Sequence, residues 1–396
     1  MLSKTARPLV QQTLPTVGAN IHTIAERFYA HMFEAHPELH DGVFNRGHHA
    51  EGSQPKSLAL SVIVFAEALV TNPGRLPGRL LTRVAHKHAS LGIRPEQYQI
   101  VHEHLMWAMR DVLGPLITPE TLLAWDEVYW LMAYALINRE RGLYSARGVT
   151  AERVWRRWRV AEKINETGDV VVFVMRRMDD RLVKTSLPGQ YVTVQAPMPD
   201  GNRQPRQYSL IRADDGEHRY FAVKRDGEVS NFLHDHVQPG DELTLSIPYG
   251  DVVLDDSGRP VIFISAGIGV TPMAGMISHL VAAGSRLPVM LLHADTSEAT
   301  FPLRRQIVDD LAHLPKSELH VWYEHGGPET LPVTSAHSGT LDLGEVPRPK
   351  RALYYLCGPL PFLEMVRGTL LERGVAPRDI QYEMFGPDLW QADTDA

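Results

Sequence analysis

A chain of 396 residues is too long for one small fold and, at roughly 100–200 residues per domain, predicts two to four cores. Apolar residues make up 44%, charged residues 22%, and the net charge is −7, a balance that excludes a disordered chain and a nucleic-acid-coating protein. The one cysteine, Cys357, excludes an internal disulfide, a Cys-rich zinc site and a Cys-ligated iron–sulfur cluster, and it suits a reducing compartment.

The segment from Met1 to Pro8 lacks the apolar run and small-residue cleavage site of a signal peptide, so the expected location is the cytoplasm. From Thr16 to about Leu143 the apolar spacing is helical. Ile21, Ile24, Phe28, Met32 and Phe33 form one run, Leu80, Val84, His88 and Leu91 a second, and Leu122, Trp125, Tyr129, Met132 and Leu136 a third, each expected to bury one stripe. His36-Pro37, Asn72-Pro73-Gly74, Arg94-Pro95 and Gly114-Pro115 punctuate them. The first third thus predicts an all-α domain of six to eight helices.

Past a basic, aromatic junction at Trp155–Arg159 the period changes to two, in 170–174, 190–195, 219–224 and 242–247, short strands at the spacing of an antiparallel barrel. From Pro260 onward strands at 261–265, 289–293, 319–323 and 352–357 alternate with helical sequence, as in βα units on a parallel sheet. The 24 residues from Val261 to Gly284 carry no Asp, Glu, Lys or Arg. Gly267, Gly269, Pro272, Gly275 and His279 interrupt them, which argues for a buried strand and turn over a membrane span. The expected architecture is multidomain: an all-α domain at 1–145, an antiparallel β-barrel at 152–257 and an α/β parallel-sheet domain at 258–396.

Two strand ends in the last domain carry the sharpest local chemistry. Gly267-Ile268-Gly269-Val270-Thr271-Pro272 joins a buried strand to a helix, where unpaired backbone N–H groups and the helix dipole attract a pyrophosphate. Cys357-Gly358-Pro359 ends a later strand in the same way, so both would line one crevice. In the barrel, Arg206-Gln207-Tyr208-Ser209 offers a guanidinium for phosphate, an aromatic face and a hydroxyl on one strand. The segment with Gly227, Val229 and Ser230 offers N–H donors at a helix start. These suit a flavin beside a nucleotide-binding domain.

Taken in order with Ala85-His86-Lys87-His88, Arg94–Tyr98, Ile137–Glu140 and the ending Tyr382-Glu383-Met384-Phe385-Gly386-Pro387, these motifs resemble the ferredoxin-NADP reductase-type flavoenzyme module coupled to a helical domain, as in the flavohemoglobins. The resemblance covers essentially the whole chain. It implies a globin domain holding haem b, an FAD-binding barrel and an NAD(P)-binding α/β domain. It makes His88 the iron ligand; His86 stands about 200° around the helix, so only one of them can face the haem. It implies that Tyr98 and Glu140 hold the imidazole from behind, that Tyr29 donates its O–H to bound dioxygen, and that Phe44, Gln54 and Leu58 line the pocket. Tyr191, Arg206, Gln207, Tyr208 and Ser209 would surround the flavin, with Phe385 on its other face and Met384 where relatives often carry cysteine. Lys87 and Glu383 match a pair thought to bridge the haem and flavin domains.

The activity implied is NAD(P)H-dependent nitric oxide dioxygenation, turning NO and O2 into nitrate. A haem-based oxygen or redox sensor and a flavin-dependent alkyl hydroperoxide reductase are the competing readings. Expected partners are O2, NO and NAD(P)H, with a lipid as a further candidate in the haem pocket, no nucleic acid and no membrane, for a monomer. Asp295 offers a carboxylate to a ribose hydroxyl and Arg304 and Arg305 offer charge to a 2′-phosphate, so NADH and NADPH both stay open.

Overall fold

The computed structural model describes residues 1–42, 53–180, 184–325, 334–346 and 349–385. The first helix, α1, spans Ala6–Ala35, so it starts ten residues before Thr16, where the helical spacing begins, and it runs through Pro15. A proline inside a helix removes one donor. Pro15 and Gln11, whose carbonyl loses its partner, are both exposed, so the missing bond falls on a face open to solvent. The helices α2 (Ser53–Thr71), α3 (Gly78–Leu91), α4 (Pro95–Leu113) and α5 (Pro119–Arg147) follow. Pro95 and Pro119 take first-turn positions where no donor is needed, and Gly92 and Gly148 end α3 and α5 in the left-handed region. Five α-helices thus lie among the described residues of this domain, with Pro37–His40 and Gly114–Leu116 as 3-10 turns between them. Phe28, Phe65, Leu81, Ala85 and Trp125 lie at the centre of one apolar core.

The second region is a curled six-stranded sheet of β1 (Trp155–Asn165), β2 (Val170–Arg177), β3 (Tyr191–Pro197), β4 (Arg203–Ser209), β5 (His218–Lys224) and β6 (Glu242–Ser246), ordered β4-β3-β6-β1-β2-β5. An antiparallel bridge between Leu210 and Phe221 joins the continuation of β4 to β5, so the curl nearly closes on itself. A short helix, α6 (Glu228–His236), connects β5 to β6.

The last region is a parallel sheet of β7 (Val261–Ala266), β8 (Val289–Asp295), β9 (Ser317–Tyr323), β10 (Thr334–Ser338), β11 (Leu353–Cys357) and β12 (Ile380–Glu383), ordered β10-β9-β8-β7-β11-β12. Helices α7 (Thr271–Ala282), α8 (Arg304–Ala312) and α9 (Leu360–Glu372) accompany it. The uncharged stretch after Val261 resolves into β7, a turn and α7. No helix among the described residues is long and apolar enough to cross a membrane. By contacts the chain forms two compact units, residues 1–156 with 195–206, and 157–194 with 207–386.

Candidate functional site

In the helical unit the site is built on the turn between α3 and α4. Gly92 (φ 71°) ends α3, and its left-handed backbone lets the Ile93 N–H reach back to the His88 carbonyl at 3.1 Å. A side chain at Gly92 would strike the Ala151 carbonyl oxygen at 2.8 Å. Arg94 then starts α4 with its N–H donated to Gln97 Oε1 at 2.8 Å, which carries Tyr98 back to His88. Tyr129 and Tyr144 on α5 donate their hydroxyls to the carbonyls of Tyr98 (2.5 Å) and Ile93 (2.9 Å), fixing the turn from behind.

The result is a compact polar cluster. His88 Nδ1 lies 2.9 Å from both Glu140 Oε1 and Tyr98 Oη, and the Tyr98 hydroxyl donates to Glu140 at 2.5 Å. Glu140 and Tyr98 are buried. Burial and the neighbouring Glu140 carboxylate push the Tyr98 phenol far above its ordinary range, so it remains a donor. With Nδ1–H directed at a carboxylate, Nε2 keeps its lone pair for a metal. His86, two residues earlier on α3, is half-buried.

The fit to haem rests on exposure. The stripe Leu80, Val84, His88 and Leu91 was expected to be buried, yet all four are half-buried, with 30% of the His88 side chain open; Leu81, Ala85 and Ala89, one position on, are the buried ones. An apolar stripe that carries an imidazole and is only half covered suits a flat apolar macrocycle with a ring nitrogen free to face its iron. Tyr29 on α1 is 2% exposed, packs edge-on to Phe28 and stacks on Phe33, and burial raises its phenol far above the usual value. Phe44 lies outside the described residues, and of Gln54 and Leu58, in the first turns of α2, only the backbone is described.

In the curled sheet Arg206 and Tyr208 are half-buried, Gln207 is exposed and Ser209 is buried. Tyr208 stacks on Phe221 at 5.3 Å, and Tyr191 on β3 is half-buried. Gly227 (φ 148°) precedes α6 with nothing within 4 Å of where a Cβ would sit, so the approach to the helix start is open. Ser230 Oγ accepts the Asp226 N–H and donates to the Gly227 carbonyl, while Val229 anchors the helix in the core. Sequence reasoning missed Lys163: from β1 its ammonium donates to the carbonyls of Leu233 (3.3 Å), His234 and Val237 (2.8 Å), closing the other end of α6. A lysine in a strand gives no sequence sign of such a role.

In the parallel sheet β7 and β11 are neighbours with Ser265 opposite Cys357, so both turns emerge side by side. Gly267 (φ 52°) faces open space, whereas a Cβ at Gly269 would lie 2.5 Å from the Cys357 carbonyl oxygen and 2.9 Å from Gly358 N. The two turns interlock only because glycine stands there. The Thr271 hydroxyl donates to the Ile268 carbonyl at 2.9 Å, Val270 and Pro272 are buried, and Pro359 is exposed. Cys357 is fully buried; burial, then the adjacent Glu383, drives its thiol well upward, so it offers no thiolate. Met384 is half-buried, the Phe385 ring is 46% exposed, and Gly386 and Pro387 lie outside the described residues. Lys87 is exposed on α3, and Glu383 is half-buried at the end of β12.

Comparison with known proteins agrees with this layout. The globin family profile matches residues 26–136, the oxidoreductase FAD-binding domain residues 149–253 and the oxidoreductase NAD-binding domain residues 263–368. These define the class: an oxidoreductase in which a globin precedes FAD- and NAD-binding domains. The flavohemoproteins of Chromobacterium violaceum and Deinococcus radiodurans are each 38% identical, over 98% of this chain and 98% of theirs. The crystal structure of flavohemoglobin from Malassezia yamatoensis with bound FAD and heme is similar at a TM-score of 0.89 and 35% identity, covering 97% of this chain and 100% of that one. The flavohem-like FAD/NAD-binding domain of nitric oxide dioxygenase from Vibrio cholerae matches 59% of this chain and 99% of its own at a TM-score of 0.54 and 33% identity. The chain belongs to the flavohemoprotein family, whose cofactors are haem, FAD and a nicotinamide dinucleotide.

Proposed function

We propose that this protein is a cytoplasmic, monomeric nitric oxide dioxygenase that uses NAD(P)H and O2 to turn NO into nitrate. The observation that carries the reading is the His88–Tyr98–Glu140 cluster, an imidazole whose Nδ1 is held by a buried carboxylate and whose other edge is open. The nitric oxide dioxygenase named in the Vibrio cholerae structure supports it. When bound, haem supplies one-electron and dioxygen chemistry, and FAD converts the hydride of a nicotinamide into single electrons.

Each residue has a defined task in this scheme. Glu140 accepts a hydrogen bond from the Nδ1–H of His88, which would make the ring a stronger donor to the haem iron and favour O–O activation over reversible storage. Tyr29, kept protonated by burial, holds a hydroxyl proton ready for the ligand side of the pocket, with Phe44, Gln54 and Leu58 shaping that side. Arg206, Tyr208 and Ser209, with Tyr191, Gln207 and the start of α6, bind the flavin, and Phe385 covers its exposed face. The turns at 267–272 and 357–359 seat the dinucleotide, Met384 borders the nicotinamide, and Gly386 and Pro387 belong with Phe385 to the cofactor-binding ending.

The test is nitrate formed per NADH consumed under air and NO. A hydride carries two electrons and each turnover takes one, so two nitrates per NADH are expected. Tyr29→Phe should lower nitrate formation on the order of tenfold and speed dioxygen release. Nitrate well below that ratio, with faster turnover of an alkyl hydroperoxide, would replace the reading by a peroxide reductase.

A further inference from the structure

The dinucleotide-binding end of the parallel sheet contains a buried polar chain that the cofactor assignments leave unused. His293 on β8 is 0% exposed and stands in register with Ser265 on β7. Its Nδ1 lies 2.9 Å from Ser265 Oγ and its Nε2 3.3 Å from Asp295 Oδ2, while its ring stacks on Phe301 at 4.0 Å. Asp295 Oδ1 then accepts the Thr300 hydroxyl at 2.5 Å and the Thr296 N–H at 2.7 Å, and Thr300 Oγ1 accepts the Ser297 N–H at 3.0 Å. The Asp295 side chain is 6% exposed and engaged by its own loop, a different use from the ribose contact its position suggested. Burial pushes the imidazole below its ordinary value, so the ring is neutral, accepting from Ser265 at Nδ1 and donating from Nε2 to Asp295.

The two ends of this chain are informative. One lies two residues before Gly267, where the pyrophosphate turn begins. The other is the loop after β8, which is backbone-strained at Leu303, a buried non-glycine residue at φ 59°. Open parallel sheets bind their ligands outside the carboxyl ends of such strands. We propose that His293 is a positioning residue for the dinucleotide, locking the turn after β7 to the loop after β8 so that both walls of the crevice are set before the ligand arrives. It does not touch the ligand, because it is wholly enclosed. Its contribution therefore falls on affinity and leaves the hydride-transfer step alone. The inference rests on the NAD-binding assignment of this domain and is independent of what the haem does with NO.

The test uses the full-length protein loaded with haem and FAD. His293→Phe keeps the ring stack and deletes both polar links, and His293→Gln restores one donor and one acceptor. Calorimetric titration with NAD+ should give a Kd about tenfold weaker for His293→Phe and within about threefold of the parent for His293→Gln, with the flavin reduction rate at saturating NADH unchanged. Amide exchange at Thr296 and Thr300 should quicken in parallel. A Kd within twofold of the parent for His293→Phe, or a slowed saturating rate with unchanged Kd, overturns the proposal. Should His293→Phe not fold, Ser265→Ala decides: a Kd about threefold weaker supports the link, and an unchanged one refutes it.

Discussion

Glu140 shows how much one buried carboxylate decides. It is 2% exposed and has two donors, the Tyr98 hydroxyl and the His88 ring, and it lies on a helix 52 residues further along the chain from His88. Glu140→Gln keeps the shape and an acceptor oxygen but removes the charge. The ring then becomes a weaker donor through Nε2, so the iron–imidazole stretching band should fall in frequency, haem content should hold, and nitrate turnover should drop on the order of tenfold. A band at the parent frequency would remove Glu140 from the electronic argument. Of this cluster the sequence disclosed the members through their motif resemblance, while periodicity misplaced the face: Leu80, Val84 and His88 read as a buried stripe, yet Leu81, Ala85 and Ala89 are the covered positions. A pattern of apolar residues reports that something apolar covers them, and it cannot say whether the cover is protein or a cofactor.

At the scale of elements, legibility followed continuous burial on both faces of a strand. β2 is buried at its first six positions and β7 at its first five, and both were apparent as apolar runs. β1 was not: among eleven residues only Trp158 and Val160 are buried, so its arginines read as a junction. β12 has four residues and β10 lies at the sheet edge, both too short or too polar to stand out. The same β1 supplies Lys163, whose ammonium closes α6 at the end opposite Gly227. An ammonium on the last carbonyls of a helix stabilises it by up to about 1 kcal/mol. Lys163→Met keeps the aliphatic packing and removes that charge, so FAD should bind about fivefold more weakly in an equilibrium titration, with haem content unchanged. Equal FAD affinity would mean that α6 is held without Lys163, by the buried Val229 and Leu233 and by the His234 contact with the Val223 carbonyl at 2.8 Å.

At the scale of the molecule, two apolar clusters among the described residues are drawn from separate stretches of chain, one from residues 6–136 and the other from 170–357, with no shared buried residue among those described. Order in the redox sequence then imposes an asymmetry on loss of function. His88→Ala removes the iron ligand but leaves every residue at the flavin and dinucleotide turns in place, so NADH-driven ferricyanide reduction should remain within about twofold of the parent while the haem absorbance disappears. Arg206→Ala strikes the flavin side: dithionite should still reduce the haem and give its carbon monoxide band, whereas NADH should no longer produce that band at a comparable rate. Recording both spectra under carbon monoxide, before and after NADH, separates the cases in one experiment. If His88→Ala also abolished ferricyanide reduction, or if Arg206→Ala left NADH-driven haem reduction intact, the electrons would not be passing from the C-terminal sheet through the curled sheet to the helices.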